Sequence, residues 1–236
     1  MSITDSLKNL TKFEWGLWLF SIAVITGSFV AGDEFMILTL VTSIVGVTAL
    51  IFTAKGDVLG QIIMILFSVL YGIISFQFKY YGEMITYMGM TAPMAVLATI
   101  SWVKNPYKGK KQEVEVAALT GQKIVVMCIL TVAVTVVMYY ILKYFGNANI
   151  VMSTVSIATS FMAAYFTFCR SSLYALGYAL NDAVLIVLWI MAAMENSVYI
   201  PMILCFVMFL VNDLYGLYNW SKMRKRQGMN MEFGSL

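Results

Sequence analysis

No histidine occurs anywhere in the 236 residues. That removes the side chain most often used as a metal ligand, or as a general base near neutral pH. Cysteine is scarce, and Cys128, Cys169 and Cys205 all fall in or at the edge of apolar runs. None is spaced as a metal or redox pair, so they read as packing residues. Charge is the largest deficit. Only 11% of the chain is charged and 61% is hydrophobic, against about a quarter and about half in a soluble domain. A soluble domain is excluded. With only carboxylates left for acid–base work, the chain is not expected to be an enzyme, and neither a metal nor an organic cofactor is expected.

What is present is apolar sequence in lengths that fit a bilayer. A helix needs about 20 apolar residues to span one. Eight runs qualify: Phe13–Val30, Phe35–Thr53, Leu59–Phe78, Met84–Val103, Lys123–Lys143, Val151–Phe168, Ser172–Met194 and Val198–Trp220. They do not alternate with period two and are twice the length of a barrel strand, so a lipid-spanning barrel is excluded. Backbone groups in lipid must bond within their own segment, so each run is predicted to be a helix.

Cations fix the expected orientation. With eight spans, thirteen of the fifteen Lys and Arg residues fall on the side of the termini; Lys79 and Lys143 fall on the other. By the positive-inside rule both termini are expected to be cytoplasmic. The MRKR block at 223–226 then marks the inner membrane surface and is not a nucleic-acid patch. Met1–Lys12 carries Ile3, Leu7 and Leu10 at helical spacing with Asp5, Lys8 and Lys12 elsewhere, the pattern of an interfacial amphipathic helix.

The second half overlays the first at a shift of 118 residues. Tyr81 meets Tyr199, Met84 meets Met202, Trp102 meets Trp220, and SWVK at 101–104 meets NWSK at 219–222. Four spans lie within that shift, so the halves share one orientation, a parallel repeat about the membrane normal. The expected organisation is an interfacial helix (1–12), an extra first span (13–34), a three-helix repeat (35–103), a cytoplasmic loop and linker helix (104–150), a second three-helix repeat (151–220) and a basic tail (221–236).

Polar residues concentrate in the second repeat. At 100° per residue, Asn212, Asp213, Tyr215, Gly216, Asn219 and Trp220 share an arc of about 160° on span eight. Tyr174, Tyr178, Asn181, Asp182 and Trp189 share about 100° on span seven. Two Asn-Asp pairs inside spans point to a cavity or pathway, although interhelical hydrogen bonding is the alternative use of such residues. In the first repeat Gln61, Ser68, Gly72 and Ser75 share a face of span three, and Glu83, Tyr87, Met90, Met94 and Ser101 a face of span four. The positions matching the Asn-Asp pairs are Ile63-Met64 and Met94-Ala95, so the first repeat is expected to supply a more apolar wall. Aromatics beside amides and carboxylates suit a flat ring bearing hydrogen-bonding groups, with or without positive charge. The candidate substrate-binding residues are Asn181, Asp182, Trp189, Tyr178, Tyr174, Asn212, Asp213, Tyr215, Asn219 and Gln61.

These residues, with the stretches AKGDVLGQIIMILFSVLYGIISFQFKYYGEM and FLVNDLYGLYNW, resemble the PnuC family of bacterial vitamin transporters. The resemblance runs from the second span through the final tryptophan. It implies an all-α, three-plus-one-plus-three fold related to the SWEET sugar transporters and a homotrimer in the bacterial cytoplasmic membrane. It also implies facilitated diffusion of nicotinamide riboside, trapped inside by phosphorylation. Relatives carry deoxyribonucleosides, thiamine or riboflavin. Nicotinamide riboside carriers tend to show two tryptophans ahead of an asparagine in span seven. With Asn181 as that asparagine, Tyr174 and Gly177 stand at the tryptophan positions.

The orientation is checked by single-cysteine variants in intact cells. An impermeant reagent is expected to miss positions 110 and 227, and labelling at either contradicts the eight-span topology.

Overall fold

The computed structural model describes residues 3–32, 36–77, 81–147 and 149–228. The elements are α1 (Ile3–Lys8), α2 (Lys12–Val30), α3 (Ile37–Ala54), α4 (Val58–Gln77), α5 (Tyr81–Thr86), a π turn (Tyr87–Thr91), α6 (Ala92–Lys104), β1 (Pro106–Tyr107), β2 (Lys110–Val114), α7 (Gly121–Tyr144), α8 (Ile150–Phe168), α9 (Tyr174–Glu195), a 3-10 turn (Ser197–Tyr199) and α10 (Ile200–Arg226). Among the described residues, eight helical segments are long and apolar enough to cross a membrane. The ends of the expected spans at Phe35 and Phe78, and Lys79 with them, lie outside the described residues.

Two features correct the all-helical reading. Residues 106–114 form an antiparallel hairpin. Its two turn residues, Lys108 and Gly109, both have positive φ, as a two-residue hairpin turn of type I′ requires. The alternation QEVEV that follows was the legible sign. Span four is also not one regular helix, because the π turn interrupts it at Tyr87–Thr91. The inserted residue rotates everything before it relative to α6, so the single face drawn through Glu83, Tyr87, Met90, Met94 and Ser101 does not exist.

The SWVK and NWSK tetrapeptides close the terminal-bearing face by one shared device. A helix leaves its last carbonyls without intrahelical partners. At the end of α6, Ser101 Oγ donates to Phe168 O at 2.9 Å and Trp102 Nε1 to Thr167 O at 2.9 Å, the last two residues of α8. At the end of α10, Asn219 Nδ2 donates to Ala54 O at 2.7 Å and Trp220 Nε1 to Thr53 O at 2.9 Å, the last two residues of α3. The indole rings meet with centroids 5.3 Å apart. Each helix pair is tied to the other half of the chain, and both tryptophans are buried.

The turns after α3 and α8 follow one pattern as well. Gly56 and Arg170 both take positive φ. One residue later a side chain accepts from the amide two positions on, Asp57 from Leu59 at 2.9 Å and Ser171 from Leu173 at 3.1 Å. Burial pushes the Asp57 carboxyl above the ordinary aspartate range, against the pull of the Leu59 amide and the Lys55 charge.

The extra first span is docked by one carboxylate. Thr11 and Glu14 form a reciprocal cap at the start of α2, the arrangement that satisfies two orphan donors at once. Glu14 also accepts from Tyr215 Oη at 2.6 Å and pairs with Lys55 at 3.2 Å. A single buried side chain thus joins α2 to α10 and to the α3–α4 turn.

Close backbone approach sets the first helix pair. A Cβ on Gly60 would stand 2.4 Å from Thr53 N and 2.9 Å from Ala49 O. These are backbone atoms, which cannot rotate away. Gly60→Ala is therefore expected to destabilise the protein by about 1–3 kcal/mol, the cost of overpacking, measured by unfolding in detergent. Wild-type stability in that variant would mean that α3 and α4 separate freely.

Candidate functional site

Asp182 lies about 12 Å along α9 from its start at Tyr174, at 1.5 Å per residue. Asp213 lies roughly as far along α10 from Trp220. Their side chains meet across the gap between the two helices. Both are buried, and Asp182 Oδ2 has no hydrogen-bond partner. Beside them is Asn181, whose Oδ1 accepts from Thr159 Oγ1 at 2.9 Å and Ser156 Oγ at 3.3 Å. With its oxygen occupied, the amide has its two donor hydrogens left for a ligand. Tyr178 completes the polar wall.

The opposite wall comes from the first half and is apolar or aromatic: Leu50, Met64, Phe67 and Tyr87, with Thr91 from the π turn. The backbone irregularity therefore sits against the cleft, as π turns at functional sites often do. The enclosed space is about 30 Å³. That is room for about one water molecule, against roughly 300–1,000 Å³ for a small-molecule pocket.

Aromatic layers lie on both sides of this cleft. Toward the termini, Tyr174 packs on Trp220 with centroids 4.7 Å apart and on Tyr178 at 6.3 Å. Toward the opposite face, Tyr71 and Tyr87 are 4.3 Å apart. Phe206 joins them, and Trp189 stacks on Phe206 at 6.4 Å and 16°. Beyond Trp189 a cavity of about 80 Å³ is lined by Glu83, Asn147, Ser153 and Glu195. This layered arrangement closes the cleft from both faces.

The ten candidates do not converge. Tyr178, Asn181, Asp182 and Asp213 share the central cleft. Tyr174 floors it on one side, and Trp189 belongs to the layer on the other. Asn212, Tyr215, Asn219 and Gln61 lie elsewhere. Asn212 donates to Ser21 Oγ of α2 at 3.0 Å, Tyr215 to Glu14, Asn219 to the α3 terminus, and Gln61 to Thr53 Oγ1 at 3.2 Å. The 160° arc on α10 is in fact two stripes. Asp213 and Gly216 face α9, while Asn212, Tyr215 and Asn219 face α2 and α3; Trp220 stands between, packed on Tyr174 and bonded to Thr53 O of α3. An arc that wide borders two neighbours, and composition alone does not divide it.

Sequence reasoning passed over Ser156, Thr159 and Ser160 on α8, of which Ser160 lines the cleft. The spacing of Ser153, Ser156 and Ser160 at i, i+3 and i+7 was the available sign. A larger cleft, about 1,090 Å³, opens near the termini. It contains the Glu14–Lys55 and Glu113–Arg226 ion pairs, lies outside the aromatic layers, and is separate from the carboxylate pair.

A family model described as nicotinamide mononucleotide transporter matches residues 36–222. The chain is 28% identical to the nicotinamide riboside transporter PnuC of Neisseria mucosa over 79% of its own length and 72% of that protein. It is 24% identical to the nicotinamide riboside transporter PnuC of Haemophilus influenzae over 80% of its length and 81% of that protein. The crystal structure of the vitamin B3 transporter PnuC superposes with a TM-score of 0.79 at 26% identity, covering 93% of this chain and 95% of that one.

The Asn181 support is testable without a ligand. Thr159→Val exchanges a hydroxyl for a methyl and is expected to cost about 1 kcal/mol of stability, one net hydrogen bond. Adding Ser156→Ala leaves the buried carbonyl oxygen unsatisfied and should bring the loss to about 1–3 kcal/mol. Unfolding in detergent checks both, and wild-type stability in the double variant would show that the hydroxyls do not hold the amide.

Proposed function

The chain belongs to the nicotinamide mononucleotide transporter family, and from that premise we propose that it carries nicotinamide riboside across the bacterial inner membrane by facilitated diffusion. Phosphorylation of the product inside the cell removes it from the equilibrium and makes uptake one-way. Both termini, the 104–120 segment and the clamped helix ends face the cytoplasm in this reading, supported by the distribution of cations. The assembly is a homotrimer, as the family resemblance implies.

One observation carries the substrate assignment: two touching carboxyl side chains, buried at mid-helix depth beside an amide and tyrosines. Two carboxyl groups in contact cannot both carry charge unaided in a low dielectric, so one holds a proton, and full ionisation brings strong repulsion. A cation between them relieves it. The pyridinium ring of nicotinamide riboside is flat and positively charged, so it can meet Asp182 and Asp213 by charge and Tyr178 or Tyr87 by its face. Its carboxamide and ribose hydroxyls suit the donors of Asn181. Because the cleft of about 30 Å³ is smaller than any such ligand, loading requires one aromatic layer to part. Trp189, in the outer layer, is where an incoming ring would first stack.

The two halves act as a parallel three-plus-one-plus-three repeat, with α2 as the extra span and α7 as the linker. The crosswise Trp102 and Trp220 bonds and the matching Gly56 and Arg170 turns support this. Substrate sites between such halves lie near the midplane, the depth of the carboxylate pair.

A neutral deoxyribonucleoside is the second reading, and Gly177 favours it. A Cβ there would stand 2.8 Å from the Ala163 backbone. An indole ring therefore cannot replace this glycine unless α8 and α9 move apart, and the stacking available to relatives at that position is absent here.

The aspartates separate the two readings. At least one of Asp182→Asn and Asp213→Asn, which keep shape and remove charge, is expected to weaken nicotinamide riboside at least tenfold, about 1.4 kcal/mol, and to spare thymidine. Calorimetry on wild type and both variants measures this. Wild-type protein that binds thymidine and ignores nicotinamide riboside would establish the neutral reading, and equal losses for both ligands would assign the aspartates to helix joining.

A further inference from the structure

Residues 105–120, between α6 and α7, run as a strap across the clamped face. Val114 N donates to Gly56 O at 2.9 Å, and Ala117 N donates to Arg170 O at 2.9 Å. Those carbonyls belong to the two positive-φ turns, one in each half. The strap is thus the single segment bonded to both turns among the described residues. Between the anchors lie Val114 and Val116, both buried against Trp102, Tyr174 and Trp220, with Glu115 pointing outward. The apolar side of the strap closes the aromatic layer from outside.

Its outer side is held differently. Gln227, just past α10, accepts from Val116 N at 2.8 Å through Oε1 and donates through Nε2 to Val114 O at 3.1 Å and Glu113 Oε1 at 2.9 Å. Arg226 pairs with the same Glu113 carboxylate. The Arg226 side chain is 59% exposed, and an ion pair that wet adds little stability. The inner contacts are buried and the outer ones only part-buried, so the outer fastening is the one that breaks more easily.

We infer that this strap is the latch of the transport pathway at the face carrying the termini, shut by Gln227 and Glu113 and released when the halves part there. The inference rests on the transporter reading above. A solute leaving the cleft toward that face must pass Tyr174 and the Trp102–Trp220 pair, and the strap crosses directly over both. Three residues separate the anchor amides of Val114 and Ala117, and an extended chain spans at most about 10–11 Å over three residues. The halves cannot part further than this while both anchors hold. Opening beyond that reach breaks an anchor bond, and Gln227, gripping the strap at Val114 O and Val116 N, opposes it.

The test ties the latch shut. Cys128, Cys169 and Cys205 are replaced by alanine, and Glu113→Cys with Arg226→Cys lets a short bifunctional methanethiosulfonate join strap to α10, reversibly by reduction. Val58→Cys places a reporter beneath the strap, since Val58 is buried in the same cluster. In purified protein, maleimide labelling at position 58, read by mass spectrometry, is expected to slow about tenfold when tied and to recover on reduction. Counterflow of radiolabelled nicotinamide riboside in proteoliposomes should stop and recover in parallel. Gln227→Ala, which deletes the fastening, should accelerate labelling about tenfold, the population shift for the net loss of one to two hydrogen bonds. Equal labelling and equal counterflow in tied and reduced protein overturn the latch, as does unchanged labelling in Gln227→Ala. Labelling that follows the tie in protein that never exchanges nicotinamide riboside supports the latch and removes the substrate reading instead. Recovery on reduction separates closure from misfolding.

Discussion

Four carbonyl oxygens at the ends of α3 and α8 govern the arrangement of this protein. A helix that stops at a membrane surface must find partners for its last acceptors, and in a span bundle the nearest partners are other helices. Here side-chain donors come from the opposite half, two from α6 to α8 and two from α10 to α3, alongside the turn amides of Gly56 and Arg170 that reach Thr53 O and Thr167 O. At about 0.5–1.5 kcal/mol net for each hydrogen bond, the clamp contributes a few kcal/mol. It also sets the spacing of the helices that carry the cleft. Tyr174 rests on Trp220, Gly216 admits the Tyr174 hydroxyl with no side chain of its own, and the carboxyl pair lies about two turns from that layer.

The interior of the bundle is costly by design. Uncompensated carboxyl groups in a dry cleft are among the most expensive features a membrane protein can hold. The chain aims its nearby hydroxyls at the amide instead, Ser156 and Thr159 both donating to Asn181 Oδ1. It leaves Asp182 Oδ2 without a partner. A binding site needs such unsatisfied capacity, because a group already saturated by the protein has nothing to give a ligand. Tyr215, Asn219 and Gln61 are engaged with other helices and hold the walls in place, while Asn212 donates its amide to Ser21 and to Met208 O and keeps its own Oδ1 unpaired.

The eight apolar helices were legible because lipid imposes long apolar runs. Trp102 and Trp220 stood out in sequence, although the reason for the match, crosswise capping, needed coordinates. Asp182 and Asp213 were legible as polar residues in apolar helices. Asn212 and Asn219 looked the same by that criterion and belong to the frame, since composition on one helix does not reveal which neighbour lies across each stripe. The π turn at Tyr87 left no mark in hydropathy. The hairpin did leave one, in Lys108-Gly109 and the alternation after it, but surrounding spans of twenty residues make a nine-residue ribbon easy to pass over.

The clamp is nearly symmetric between the two halves of the chain, and symmetry alone gives neither half priority. The segment joining the halves occurs once, so it is the natural place for asymmetry to enter. In this chain it lies over the clamp, bonded to both turns, with Val114 and Val116 facing the tryptophans and polar groups facing water. Among the described residues, the opposite face is closed by the side chains of Tyr71, Tyr87, Phe206 and Trp189. Side chains change rotamer one at a time, whereas a strap bonded through its backbone yields as a unit. The two closures of the cleft are thus physically unlike: one is a set of rings that can turn independently, and the other is a fastening that must let go before the helices beneath it can move.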